Sequence, residues 1–401
     1  MSASSAAAYR PSSSARVHVL AIGGAHQFAH ILPVACELER RHPGQVTLFV
    51  STDEEAVTAQ AQALAIGPAV PKIVVMHLPR FASVLPEKLH KAARLAVWAQ
   101  RLCAADVILC AERTSTLLRR LRADCPPLLH IPHGAGDRAV GFEKRFTLFD
   151  HVLVSGRKDR DRLLASGFVA PEDCTVTGPI KLWTILESAA QRPPLFDNDK
   201  PTILYNPHFS KKHSSIESFG HKLIEAVVRD GRYNLVVAPH VRLARRWSSR
   251  QRREWEALAV PGQVIVDLGS ERCNDMTYTL GADIYVGDVS SQVYEFLVCP
   301  RPCLFVDPRG VDWHRSEDYA MWHFGEVISP DADPVAAVDR ALATHGAYVA
   351  GQRERMAYSI DGIAWTPDGR VTFRGRNAVR EAADVVERYA GPGGGRVSAA
   401  A

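Results

Sequence analysis

The chain has 401 residues, 46% hydrophobic and 23% charged, the make-up of an ordinary folded protein with room for two or three separate cores. A net charge of +4 is too small to argue for nucleic acid, and it suits an anionic substrate or an anionic membrane surface only weakly. The eight cysteines show no CxxC and no Cys/His spacing of a zinc site, and no uncharged apolar run approaches the roughly 20 residues that span a bilayer.

Several cysteines lie in apolar runs, where a reduced thiol packs as a small hydrophobe, and this suits a reducing cytosol. Residues 1–15 are rich in Ser and Ala, lack the apolar core of a signal peptide, and are expected to be disordered. Residues 16–22 (RVHVLAI) predict a first strand, followed by the turn Gly23-Gly24-Ala25-His26-Gln27 and a helix over 28–41. With a strand at 46–50 this makes a βαβ opening, and the missing third glycine argues against a dinucleotide cofactor. Gly24 and His26 fall on the turn after the first strand, where ligands approach; a His that packs or caps the turn is the competing reading. His26 and His30 are four apart, but no third ligand is apparent for a metal.

A strand is expected at 73–77 and an amphipathic basic helix at 86–102, which reads as a membrane-surface helix or, more commonly, a solvated one. A strand at 106–110 and a short helix at 116–122 follow. Residues 127–132 (PLLHIP) form a strand that runs into His133-Gly134-Ala135-Gly136-Asp137-Arg138. That loop follows a buried strand, its glycines permit close backbone approach, and it gathers a His, an Asp and an Arg. A strand at 149–155 and a charged helix at 157–166 close the first half.

Residues 191–201 (QRPPLFDNDKP) read as a linker. Beyond it the αβ alternation restarts with a strand at 202–205, then Asn206-Pro207-His208-Phe209-Ser210-Lys211-Lys212 and a helix over 216–229. A strand at 234–238 ends in Pro239-His240-Val241-Arg242 and feeds a basic helix at 243–258. A strand at 264–267 and a short helix at 275–280 lead to residues 282–308, the most informative stretch. There a buried strand ends at Gly287-Asp288, Ser290 and Ser291 open a helix, and Pro300 and Pro302 precede another buried strand. A helix N-terminus with two Ser hydroxyls is competent to hold phosphate, and a plain capped helix, with Asp288 as cap, is the simpler reading. Trp313, His314, Trp322 and His323 would line an acceptor or base pocket or pack as an aromatic loop. Helices at 333–344 and 378–389 complete the chain.

The expected organisation is therefore a disordered 1–15, an αβ domain at 16–190, the linker 191–201, a second αβ domain at 202–375, a helix at 376–390 and a tail at 391–401. Two such domains give a cleft between the carboxyl ends of two parallel sheets.

Four loops at strand ends carry a resemblance: Pro132-His133-Gly134-Ala135, Tyr205-Asn206-Pro207-His208, His240-Val241, and Asp288-Val289-Ser290-Ser291. In order and spacing they resemble the CDP-glycerol glycerophosphotransferases, the teichoic-acid polymerase group of GT-B glycosyltransferase-like enzymes, over residues 127–308. The Gly-Gly-x-His turn is shared more widely among GT-B transferases and sugar-nucleotide 2-epimerases. Ala135, His208 and Val241 depart from the family's Thr, Thr and Pro, which leaves open the donor group and the acceptor.

The resemblance implies a GT-B-like α/β fold of two Rossmann-like domains with a central inter-domain cleft. It implies His133 as general base on the acceptor hydroxyl or as a phosphate ligand, His240 on the donor pyrophosphate, and Ser290, Ser291 and Asp288 at the phosphate site. His26 is a further catalytic candidate; Arg242, Lys211 and His208 are donor-phosphate ligands, and Gly134, Arg138 and Gly24 belong to the acceptor side or its loops. The implied partners are a nucleotide-diphosphate-linked donor, such as CDP-glycerol or a sugar nucleotide, and a surface-polysaccharide or lipid-linked acceptor. No cofactor, metal or nucleic acid is expected, and the expected setting is the cytoplasm, with contact at the inner face of the membrane for a lipid-linked acceptor. A sugar-nucleotide 2-epimerase and a non-catalytic GT-B-like binding protein are the alternatives.

Overall fold

The computed structural model describes residues 15–79, 85–132, 137, 143–187, 193–367, 369, 371–375 and 377–391. Its short apolar runs become strands buried on both faces, as parallel strands covered by helices must be. The chain divides into two compact units, one of Met1–His133, Glu143–Thr184 and Gly375–Ala401, the other of Gly134–Phe142 and Ile185–Arg374.

The first unit holds seven strands: β1 (Val17–Ala21), β2 (Val46–Val50), β3 (Lys72–Val75), β4 (Val107–Cys110), β5 (Leu128–His130), β6 (His151–Val154) and β7 (Cys174–Val176). They form one parallel sheet in the order β3-β2-β1-β4-β5-β6-β7. The winding reverses between β1 and β4, so the turn after β1 lies at a switch point, where α/β sheets open a crevice for ligands. The expected helix after β1 is present as Phe28–Arg41, and Phe28, Ile31, Leu32, Ala35 and Leu38 bury its inner face. A helix at Asp53–Ile66, capped by Thr52, escapes sequence reading because its Ala-rich run has no apolar stripe.

The last helix, Ala378–Ala390, packs into the core of this first unit through Ala382, Val385 and Val386. Its N-cap Asn377 accepts from the N–H groups of Val379 (3.0 Å) and Arg380 (3.1 Å). Asn377→Ala is expected to lower the stability of this unit by ~1 kcal/mol, read as a lower urea midpoint with unchanged slope.

The second unit holds β8 (Thr202–Asn206), β9 (Asn234–Val237), β10 (Val264–Val266), β11 (Ile284–Gly287), β12 (Cys303–Val306) and β13 (Glu326–Ile328). They too form a parallel sheet, in the order β10-β9-β8-β11-β12-β13. Counted from its own first strand this is the same doubly wound order, with its switch point between β8 and β11. Ile203, Tyr205, Val237, Val286 and Leu304 meet Phe219, Leu223, Val227 and Val338 from the covering helices.

The expected basic helix at 243–258 is two helices, Val241–Ala244 and Ser249–Glu256. The break falls where Ser248 and Gln251 form a capping box. A small antiparallel pair, β14 (Ile363–Trp365) and β15 (Val371–Phe373), follows a helix at Val349–Ser359 that sequence reading did not find. Among the described residues no helix is long and apolar enough to cross a membrane.

Candidate functional site

At the switch point of the second sheet Asn206 and Gly287 stand side by side in register at the ends of β8 and β11. The chain after each strand turns into the crevice, and Asp288 ties the two turns together. One carboxylate oxygen accepts from the N–H of His208 (2.8 Å) and of Val289 (2.7 Å). The other accepts from the N–H of Ser215 (2.8 Å) and from its hydroxyl (3.1 Å). The Asp288 carbonyl accepts from the indole N–H of Trp322 at 2.8 Å. Asp288 is fully buried, and that burial pushes its carboxyl up to about 6 against the pull of the four donors.

The sequence reading of Asp288 as a helix cap is therefore corrected. Its carboxylate turns to the β8 loop, and the helix that follows, Gln292–Phe296, starts at Ser291 with no side-chain cap. Ser290 is buried, and its hydroxyl accepts weakly from the Gln292 N–H at 3.4 Å; Ser291 is half-buried.

A second network extends this clamp sideways. The Asn206 amide donates to the Ala238 carbonyl (2.6 Å) and to the Gln292 side chain (2.5 Å), and Gln292 donates to the Cys273 carbonyl (2.9 Å). The ends of β8, β9 and β11 are thereby bound into one rim. Ser215, Gln292 and Trp322 were not legible as its members, because their partners lie far away in sequence.

His208 and His240 sit on this rim. The His240 N–H donates to the Pro207 carbonyl at 3.0 Å, and the two rings lie 6.1 Å apart. Each imidazole accepts, through Nδ1, the backbone N–H two residues on: His208 from Ser210 (3.1 Å) and His240 from Arg242 (3.2 Å). A neutral ring so engaged carries its proton on Nε2. Both imidazoles are thus oriented as hydrogen-bond donors. Phe209 packs against both rings, at 4.2 and 4.9 Å, and the guanidinium of Arg242 lies 4.2 Å over its face. Arg242 and Lys211 are exposed, so the rim combines two imidazole donors with two solvent-facing cations.

Trp322, one of the four aromatic-loop candidates, is buried and structural. Trp313 stacks on His314 at 4.1 Å and lies 4.9 Å from His323. It borders a cavity of about 560 Å³ at the carboxyl ends of β12 and β13, with Asp307, Arg309, Ser329 and Tyr348 in the wall.

In the first unit, Gly24 adopts φ +120°, which only glycine takes without strain, and His26 lies half-buried in the single 3-10 turn Ala25–Gln27. The Gln27 side chain accepts the Gly23 N–H at 2.9 Å and fixes this turn. His133, Gly134 and Arg138 lie outside the described residues. Asp137 is described: fully buried within the second unit, it accepts from the Tyr294 hydroxyl (2.6 Å) and from Arg355 (3.1 Å). Among the described residues no group of His, Cys, Asp and Glu is arranged to hold a metal ion.

No protein-family model matches the chain, and no curated protein matches it in sequence. Solved structures do match in fold. The co-structure of MnaA with UDP from S. aureus superimposes with a TM-score of 0.62 at 14% identity, covering 94% of this chain and 96% of that one. The UDP-GlcNAc 2-epimerase from Neisseria meningitidis bound to UDP-GlcNAc gives 0.59 at 13% identity, over 93% and 99% of the two chains. The wall teichoic acid polymerase TagF gives 0.57 at 10% identity, over 95% and 90%. At such identities the likeness establishes architecture alone, and the chain has the α/β GT-B fold.

Proposed function

We propose that this chain binds a nucleotide-diphosphate-linked donor at the carboxyl edge of its second sheet and transfers a glycosyl or glycerophosphoryl group from it. The acceptor is a cell-surface polysaccharide or a lipid-linked molecule. The observation that carries this reading is the rim after β8 and β9, where His208 and His240 are both set as Nε2–H donors beside Arg242 and Lys211. A departing diphosphate needs fixed donors and cations around its developing charge, and this rim supplies both without a metal. Ser290 and Ser291 border the same switch point and complete the donor site.

On this reading the tautomers divide the roles. With Nδ1 held by backbone, His208 and His240 serve the phosphates as donors. Base duty at the acceptor hydroxyl then falls to His133, as the resemblance implies, with His26 as the other candidate, and Gly24, Gly134 and Arg138 on the acceptor side. A teichoic acid polymerase among the fold's solved neighbours supports a glycerophosphoryl or related group as cargo. This assignment needs no cofactor and places the protein in the cytoplasm, at the membrane face when its acceptor is lipid-linked.

A second reading is a sugar-nucleotide 2-epimerase, since an enzyme of that activity shares the fold over 93% of this chain. It needs acid/base carboxylates beside the sugar. Among the described residues the carboxylate at the switch point is Asp288, which is enclosed by four donors.

Thermal shift against CDP-glycerol, UDP-GlcNAc and GDP-linked sugars tests the donor site; a ligand at a hundred times its Kd stabilises by about 2.7 kcal/mol. His240→Ala is expected to weaken the responding ligand roughly 10-fold or more while the fold is kept. Product analysis separates the two activities: a transferase releases nucleotide in the presence of acceptor, whereas an epimerase returns an isomeric sugar nucleotide and releases none. If no nucleotide moves the melting point, the donor site is disproved.

A further inference from the structure

The cavity beside β12 and β13 lies outside the donor rim. It holds about 560 Å³, a volume typical of small-molecule sites, and every residue of its wall belongs to the second unit. β13 is the last strand of its sheet, so one of its edges is open. The Asp307 N–H donates to the Ile328 carbonyl at 2.8 Å, which turns the polar groups of Ile328 toward β12. Polar groups alternate in direction along a strand, so the N–H and C=O of Val327 face the open side, where the cavity lies. They stand there as a donor and an acceptor fixed side by side.

The rest of the wall is aromatic and has no net charge. Trp313, stacked on His314 at 4.1 Å, forms one side, and Tyr348, leaving the 3-10 turn His345–Ala347, forms another. Among the described residues the Trp313 indole N–H and the hydroxyls of Tyr348 and Ser329 make no hydrogen bond. The carboxylates are already engaged. Asp307 accepts from the N–H groups of Arg309 (2.9 Å) and Val311 (2.7 Å), and Glu326 pairs with Arg340 at 2.7 Å. Arg309, exposed at the rim, balances the charge of Asp307.

We infer that this cavity binds a neutral saccharide. A pyranose offers an apolar C–H face to an aromatic ring, and a circle of hydroxyls that both donate and accept; the wall matches each. A cationic ligand would need uncommitted carboxylates beside the rings, and an anionic one would need more than a single cation. A peptide strand is disfavoured, because β13 has three residues and only Val327 turns its polar groups outward. β13 is two strand spacings from β11, roughly 10 Å from the switch point along the same carboxyl edge. A saccharide held here lies beyond the proposed diphosphate position, in place for the sugars of a polysaccharide acceptor. That acceptor role rests on the proposed transfer; saccharide binding itself does not.

Saturation-transfer NMR on the full chain, with chitotriose and maltotriose as probes, reads the site directly. At least one trisaccharide is expected to bind through its ring C–H protons, and Trp313→Ala is expected to weaken it roughly 10-fold or more. Ser329→Trp, which fills the cavity from an exposed position, is expected to do the same, and it keeps the test valid where loss of Trp313 loosens the contact with Trp322. The melting-point response to nucleotides is expected to persist in both variants. A protein that answers no nucleotide but binds saccharide here keeps this inference and loses the transfer reading. The inference is overturned by failure of both trisaccharides to bind at tens of millimolar, by binding that neither substitution weakens, or by a preference of the cavity for choline or inorganic phosphate. Loss of the nucleotide response together with saccharide binding would also overturn it, by giving the cavity to the nucleotide base.

Discussion

Arg301→Ala is expected to destabilise the second unit by about 3–5 kcal/mol, enough to unfold a marginal protein. Arg301 stands between the two prolines that precede β12, and its guanidinium is spread over carbonyl oxygens. It donates to the carbonyls of Thr279 (2.7 Å), Leu280 (3.3 Å) and Cys299 (3.2 Å), and also to those of Ala282 and Phe296. Apart from that of Cys299, which lies in the turn beyond, these carbonyls come from the ends of two helices, Thr277–Gly281 and Gln292–Phe296, where backbone acceptors have no intrahelical partner and the dipole is negative. The guanidinium also lies 3.8 Å over the Phe296 ring.

Truncation removes one cation and leaves several carbonyls without a donor in a place water reaches poorly. Burial already lowers the pKa of this arginine, which marks the desolvation that its hydrogen bonds offset. Arg301→Lys keeps the charge, but one ammonium has three donors and cannot span carbonyls on two helices; about half of the loss is expected to remain. Urea denaturation followed by hydrogen exchange checks this, with protection lost in the second sheet and retained in the first. A melting point within a degree of the parent would show that the arginine is dispensable.

The brace matters to the site because one of those two helices starts at Ser291, directly after the Asp288 clamp. It also marks a limit of sequence reading. The strands were legible because buried parallel strands are continuous apolar runs: VHVLA, TILYN, IYVG and CLFV stand out from their flanks. The turns of the candidate site were legible because they sit where those runs stop. What each side chain in a turn faces was not. Asp288 meets His208 and Ser215 across 80 and 73 residues of sequence, and nothing local to Asp288 encodes that pairing. Local capping is the default reading of an Asp ahead of a helix, and the tertiary partners overrode it.

The same holds for Trp322, which read equally as a pocket aromatic or a packed one; it is packed, and its indole N–H donates to the Asp288 carbonyl. The break at Ser248 was readable, since Ser248 and Gln251 carry capping-box spacing, but the arginine-rich run around them has helical propensity throughout. The tautomers of His208 and His240 needed coordinates, because an imidazole two residues before an amide takes it only in a particular turn.

Asp288→Ala is expected to abolish donor binding and to cost about 3 kcal/mol or more, because three backbone N–H groups and the Ser215 hydroxyl lose their acceptor in a dry interior. Asp288→Asn is more instructive. Each carboxylate oxygen accepts from at least one backbone N–H, so whichever way the amide is turned its NH2 opposes a backbone donor. The loss should be smaller than for alanine but still distort the turn that carries His208.

The two proteins should also differ in their response to pH. Asp288 has its folded pKa raised from 3.8 to about 6, so the folded state holds a proton that the unfolded state has released. The contribution of this raised group is fully present below pH 3.8, declines as pH rises, and is gone above about 6, a change of ~3 kcal/mol over the window. The site tolerates both protonation states because Ser215 can turn. Its hydroxyl donates to the carboxylate when Asp288 is ionised; when Asp288 is protonated it accepts and passes its own proton toward the Tyr205 oxygen, 2.9 Å away. Asparagine has no such proton to gain. The stability advantage of the parent over Asp288→Asn should therefore widen as pH falls from 7 to 4, as measured by urea midpoints at fixed ionic strength. An advantage that stays constant or shrinks would mean that the donors around Asp288 outweigh its burial, and that the clamp is an ordinary ionised carboxylate.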